Sequence, residues 1–141
     1  MAHEKLFLAL LGASSAHAEA SRNAFATLGV TEGQPKILYI LRRQDGYVQK
    51  ELAEICGVRQ STLAVLLMKM EEQNFIRREV DYISGGKRAY RIFLTDKGRV
   101  QADEIELIVE ALEEKSFFGF SQEEKENLLT LLSRAEENIR R

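Results

Sequence analysis

The side chains best placed to do chemistry are cationic and amide-bearing. Lys87 and Arg88 follow Gly85-Gly86, and Arg77, Arg78 and Arg91 lie on either side of that glycine pair. Arg59, Gln60, Ser61 and Thr62 stand together at the start of an apolar-periodic run, with Gln49 and Lys69 nearby. Guanidinium and ammonium groups neutralise phosphates, and amide and hydroxyl side chains read base edges. Acid–base or nucleophilic chemistry has no comparable footing. The sequence holds no glycine-rich phosphate loop and no nucleophile elbow. The pairs Glu113-Glu114 and Glu123-Glu124 read as solvated helix faces. His3 and His17 are isolated, so neither a metal nor another cofactor is expected. The expectation is a non-enzyme.

Charge is distributed to match. The net charge of −2 hides an asymmetry. Residues 36–99 carry 13 basic and 8 acidic side chains, whereas residues 100–141 carry 5 and 11. A basic middle suits phosphates, and an acidic end suits protein or solvent. The hydrophobic fraction of 45% over 141 residues suffices for a core. Cys56 is the only cysteine, which points to a reducing, cytoplasmic setting and to no intrachain disulfide. A small half of a helix corner is a natural place for it, so a packing role is expected, with thiol sensing as an alternative. No run is long enough to span a bilayer. Lys5, Leu6–Leu11 and Ala16-His17-Ala18 imitate a leader peptide, but the segment continues into helix-forming residues and reads as an amphipathic helix.

The elements that must position these groups follow from periodicity. Residues 4–28 form a helix with Leu6, Leu10, Ala13, His17, Ala20, Ala24 and Leu28 on one face, ended by Gly29. Thr31 and Gln34 read as a capping box for a second helix to about Arg43, which buries Ile37, Leu38 and Leu41. Gln49–Cys56 is a short helix ending at Gly57, and Gln60 to about Gln73 is the next. Ala53, Gly57 and Val58 form the corner, and Leu63 and Leu66 face inward. That spacing fits a helix-turn-helix whose second helix enters a major groove. Strands 76–81 and 89–94 flank the Gly-rich tip as a basic wing. Thr95 caps a long helix to about Lys115, and Ser121 and Glu124 form a capping box for the last helix. The fold class is mainly α (α+β), in the order α-α-α-α-β-β-α-α.

Several of these segments carry a family likeness. Thr31-x-x-Gln34, Gln49-Lys50-Glu51-Leu52-Ala53 and Gln60-Ser61-Thr62-Leu63 appear in order. Met70-Glu71-x-x-Asn74-Phe75-Ile76 and Leu94-Thr95-Asp96-Lys97-Gly98 follow. The chain thereby resembles the MarR (multiple-antibiotic-resistance regulator) family over nearly its full length. The resemblance implies a ligand-responsive repressor, a homodimer on a palindromic operator in double-stranded DNA. Residues 1–30 and 100–141 would then form the dimerisation region and 31–99 the DNA-binding domain. The stripe Leu128, Leu132, Ala135 and Ile139 agrees with a partner, or else packs on its own domain. Gln49, Arg59, Gln60, Ser61, Thr62, Lys69, Arg77, Lys87 and Arg88 are the candidate DNA contacts. The resemblance also implies a small aromatic or anionic effector. His17, Phe25, Tyr39 and Arg42 are candidates for its pocket, although the sequence does not single them out.

Two departures from the family pattern stand out. Its wing often carries Asp-x-Arg ahead of Leu-Thr, whereas Gly86-Lys87-Arg88 stands here, leaving Asp81 as a substitute anchor. The second motif helix is also apolar where polar groups usually face the groove, at Ala64, Val65 and Met68. A winged helix serving only protein contacts is therefore the other open reading.

Overall fold

A computed structural model describes residues 3–141; Met1 and Ala2, the start of the expected 1–30 segment, lie outside the described residues. The chain forms two compact units, Met1–Val109 and Glu110–Arg141.

The first unit opens with α1 (Leu6–Phe25), continued by a 3-10 turn over Ala26–Leu28. Gly29 ends it in the left-handed region at φ 68°, a conformation that costs glycine least. Next come α2 (Gln34–Arg43), β1 (Tyr47–Val48), α3 (Gln49–Cys56) and α4 (Gln60–Glu72). The hairpin β2 (Ile76–Ile83) and β3 (Lys87–Leu94) follows, and then α5 (Asp96–Ser116) begins. The sheet is antiparallel in the order β1-β3-β2.

The main departure from the expected order is β1. Two residues, Tyr47 and Val48, pair with Ile92 and Arg91. A strand that short has no alternation to read. The hairpin is also longer than expected, each strand gaining residues toward a three-residue tip at Ser84–Gly86.

The core joins helices to sheet. Ile37, Leu38 and Leu41 of α2, Leu52 of α3, Leu63, Leu67 and Met70 of α4, Ile92 of β3 and Ile105 of α5 are all fully buried. On α4 the inward pair is Leu63 and Leu67 rather than Leu63 and Leu66, because Leu66 is only half-buried. The expected capping box at Thr31 does not form. Gly33, at φ 95°, caps α2, and no side chain caps it. The Gln34 side chain is instead fully buried and donates from Nε2 to Gln73 Oε1 at 3.0 Å.

A dense junction fixes the end of α4. Thr95 N–H donates to Phe75 O at 3.1 Å. Thr95 Oγ1 donates to Asn74 O at 2.6 Å, and Lys97 Nζ to Gln73 O at 2.9 Å. Three successive carbonyls are thus satisfied by one short segment, as buried or crowded backbone oxygens require. Thr95 Oγ1 also accepts from Gly98 N–H at 3.0 Å, the expected N-terminal cap of α5. A Cβ at Gly98 would stand 2.0 Å from Phe75 O, so only glycine fits there.

The second unit holds the end of α5 and α6 (Gln122–Ile139). Ser121 and Glu124 form the reciprocal capping box, with bonds of 3.1 and 2.8 Å. Those bonds hold the Glu124 carboxyl below its usual pKa. Phe117 and Phe120 meet edge to face at 5.3 Å between centroids.

Candidate nucleic-acid interface

The corner between α3 and α4 has a local cause. Gly57 caps α3 at φ 69°, and its N–H reaches Ala53 O and Glu54 O. Val58 N–H donates to Ala53 O at 3.1 Å. Ala53 is nearly fully buried, so no larger side chain holds the helices apart. These two helices bear out the expected helix-turn-helix.

At 3.6 residues per turn, the face of α4 opposite Leu63, Leu67 and Met70 is Ser61, Val65, Met68 and Glu72. Val65 is 66% exposed and Met68 57%. Thr62 and Lys69 are exposed on one flank of that stripe, Gln60 is exposed at the first turn on the side nearer Leu67, and Arg59 sits at the N-cap. Gln49 is the first residue of α3 and is half-buried. Ser61, Thr62 and Lys69 therefore share one exposed surface and Gln60 lies off it, and the centre of that surface belongs to residues outside the expected set, apart from Ser61.

In the wing, eight cross-strand pairs run from Ile76↔Leu94 to Ile83↔Lys87. Gly85 and Gly86 take positive φ at the tip, which lets a hairpin close in three residues. Lys87 and Arg88 follow immediately and are exposed.

The wing arginines divide into two kinds. Arg77 pairs with Glu79 and lies over the Phe93 ring at 4.6 Å. Arg78 forks onto Glu71 at 3.0 and 3.3 Å. Arg91 reaches Asp81 at 2.6 Å and Gly46 O at 3.0 Å. Arg88 donates to the Tyr90 hydroxyl at 3.1 Å and makes no ion pair. Among the described residues, Lys87, Arg59 and Lys69 likewise have no carboxylate partner within salt-bridge distance. Those four cations, at the wing tip and along α4, are exposed and open to an external anion.

Asp81 anchors the wing internally by pairing with Arg91 across the hairpin. The Arg91 guanidinium, aided by the Tyr82 N–H, holds its carboxyl below the usual carboxylate range. Because Arg91 also holds Gly46 O, the pair ties β2 and β3 to the turn before β1. That turn is further held by Asp45, which accepts from Leu94 N–H at 3.0 Å and from Arg99 at 2.6 Å.

A cavity of about 550 Å³ opens in the first unit, between α1 and the start of α2. His17, Phe25 and Tyr39 line it, together with Arg22 and Lys36, which sequence reasoning did not select. Arg22 lies one turn after Ala18, itself a lining residue, and that spacing was readable once α1 was placed. Arg42 is not among the lining residues. Asp103 at 2.8 Å and Glu106 at 3.7 Å on α5 draw its guanidinium toward themselves. Cys56 is half-buried against the core rather than sealed in it. Burial pushes its thiol pKa up, with Lys36 opposing, so the reactive thiolate is disfavoured. Among the described residues, no three His, Cys, Asp or Glu side chains are grouped to hold a metal, and no helix is long and apolar enough to cross a membrane.

A helix-turn-helix with an outward second helix and a basic hairpin beside it defines the class of winged-helix transcriptional regulators. Residues 30–81 match the MarR family. The HTH-type transcriptional regulator YybA of Bacillus subtilis is 33% identical over 117 residues, which cover 83% of this chain and 77% of that protein. The chain belongs to the MarR family, whose members matched here are transcriptional regulators and not enzymes. A MarR-family regulator from Silicibacter pomeroyi superposes with a TM-score of 0.79 at 28% identity, over 89% of this chain and 84% of that one. The fold is also that of a putative MarR-family regulator from Listeria monocytogenes, complexed with a 26mer DNA (TM-score 0.87, 21% identity, 97% and 90% covered).

Proposed function

We propose that this MarR-family regulator is a ligand-responsive repressor that binds a palindromic operator as a homodimer. The observation that carries the DNA reading is the set of cations left unspent by the fold. Lys87 and Arg88 sit at the wing tip, and Arg59 and Lys69 flank the outward face of α4. Cations without carboxylate partners lose little on meeting phosphates and gain from counterion release.

The homodimer reading draws on unspent apolar surface. In α6 no residue is buried, and Leu128, Leu132 and Ile139 are exposed. In α1 no residue is buried either, and Leu6, Phe7 and Leu11 are exposed. Faces of that kind call for a partner, and two-fold pairing places two recognition helices on adjacent half-sites. The effector reading draws on the cavity. Phe25 and Tyr39 suit a flat apolar body, and Arg22 and Lys36 suit an anionic group. A ligand bound there would shift the population of dimers able to span both half-sites. His17, Phe25 and Tyr39 remain its candidate contacts in this reading, and Arg42, which lies outside the lining, does not.

The test is fluorescence anisotropy with the full chain and duplex from the promoter of its own gene, across a salt series. Lys87→Ala with Arg88→Ala should weaken binding to every sequence and flatten the log–log salt slope by about 3.6, at roughly 0.9 for each of the four phosphates that the two wings of a dimer no longer neutralise. Unchanged affinity and slope would overturn the wing assignment. Val65 and Met68, exposed and apolar, favour one other reading, a protein-contact surface on α4. The absence of any salt-dependent duplex binding would select it.

A further inference from the structure

We infer that Val65 and Met68 are specificity-determining residues that recognise thymine through its 5-methyl group in the major groove. The inference rests on the DNA reading above and deepens it. The stripe directed away from the core is Ser61, Val65, Met68 and Glu72, and its two central members have no polar atom able to read a base edge by a strong hydrogen bond. Both are more than half exposed, so the fold itself does not use them.

Charge decides what occupies that face. Arg59 stands at one end of α4 and Lys69 beside the stripe, both exposed and without ion pairs among the described residues. Lys87 adds a third free cation in the same unit. Val65 and Met68, framed by unpaired cations and with Glu72 only at the far end of the stripe, match a polyanion with apolar points inside it. In the major groove the thymine methyl is the apolar feature that the four base pairs offer. Ser61, one turn ahead of Val65, supplies a hydroxyl able to bond either a donor or an acceptor on a neighbouring base. Direct readout on this helix is therefore led by shape and methyl burial, with Thr62 contributing from the flank.

Uracil pairs as thymine does and lacks only the methyl, so it isolates the contact. Two pools of random-core duplexes, one made with thymidine and one with deoxyuridine, are selected against the full chain. The best duplex from the first pool is then remade with single deoxyuridine replacements. Each methyl that Val65 or Met68 buries should be worth about fourfold in affinity. Wild type should lose that factor at one to three positions. Val65→Ser and Met68→Gln should each bind the two versions of one such position alike; both sites are exposed, and an unchanged thermal transition verifies the fold. If wild type binds thymidine and deoxyuridine duplexes equally while its affinity still falls with salt, the methyl reading is wrong and the DNA reading stands. If neither pool yields a bound duplex, the DNA reading itself fails and takes this inference with it.

Discussion

The winged region and the two terminal helices α1 and α6 treat their apolar residues in opposite ways. Between Ile37 and Ile105 the inward leucines and isoleucines, such as Leu38, Leu52, Leu63, Leu67 and Ile92, vanish from solvent, while Ile55 stays exposed. Along α1 and α6 none does, although α1 is rich in leucine and alanine and α6 in leucine. Chain composition alone does not separate the two regions. What separates them is whether a neighbouring element in the same chain meets each stripe. The winged region finds four helices and a sheet around one centre, and the terminal helices leave a stripe exposed.

The sharpest way to break the comparison is to empty the centre. Leu63→Ala removes a fully buried side chain and should cost about 2–5 kcal/mol, read as a large fall in thermal midpoint. A loss below about 0.5 kcal/mol, the size expected of a surface change, would mean that the centre is not where stability resides. The second way is to charge a reserved stripe. Leu128→Glu with Leu132→Glu should turn a dimer into a monomer in light scattering at micromolar concentration, while DNA affinity falls because both half-sites can no longer be held together. A double variant that stays dimeric removes α6 from the interface.

The smallest effect concerns the wing anchor. The folded protein depresses the Asp81 pKa, so its ionised form stabilises the hairpin at and above ordinary carboxylate pKa values. That contribution is lost as the pH falls through the lowered pKa. Proton shifts of Tyr82 and Tyr90 on the wing should be flat from pH 8 to about 5 and move only in acid, and Asp81→Asn should abolish the acid step. An identical step in Asp81→Asn would assign it to another group.

The helix-turn-helix was legible because its signals are local. Gly57 marks the corner, and the apolar spacing on either side sets both helices within a residue or so. The hairpin was legible from alternation and from Gly85-Gly86. Features that depend on distant partners were not. Glu71, Glu79 and Asp81 neutralise three wing arginines only once the β2–β3 register and the end of α4 are known. Gln34 has the spacing of half a capping box, but it is drawn into the core by Gln73, 39 residues away. The cavity combines residues of α1 and α2 that no spacing rule groups together. Val65 and Met68 were visible as an oddity of the helix; their place at the centre of its outward face needed the structure.

The junction of Gln73, Asn74 and Phe75 with Thr95–Gly98 makes the last turn of α4 and the first turn of α5 a single pivot without play. A recognition helix of 13 residues is about 20 Å long, so a rotation of about 10° at the pivot sweeps its far end through about 3.5 Å. That travel equals the rise of about one base pair. With the junction at one end and the hydrogen-bonded Gly57 corner at the other, the fold sets where Arg59 to Thr62 stand on that scale.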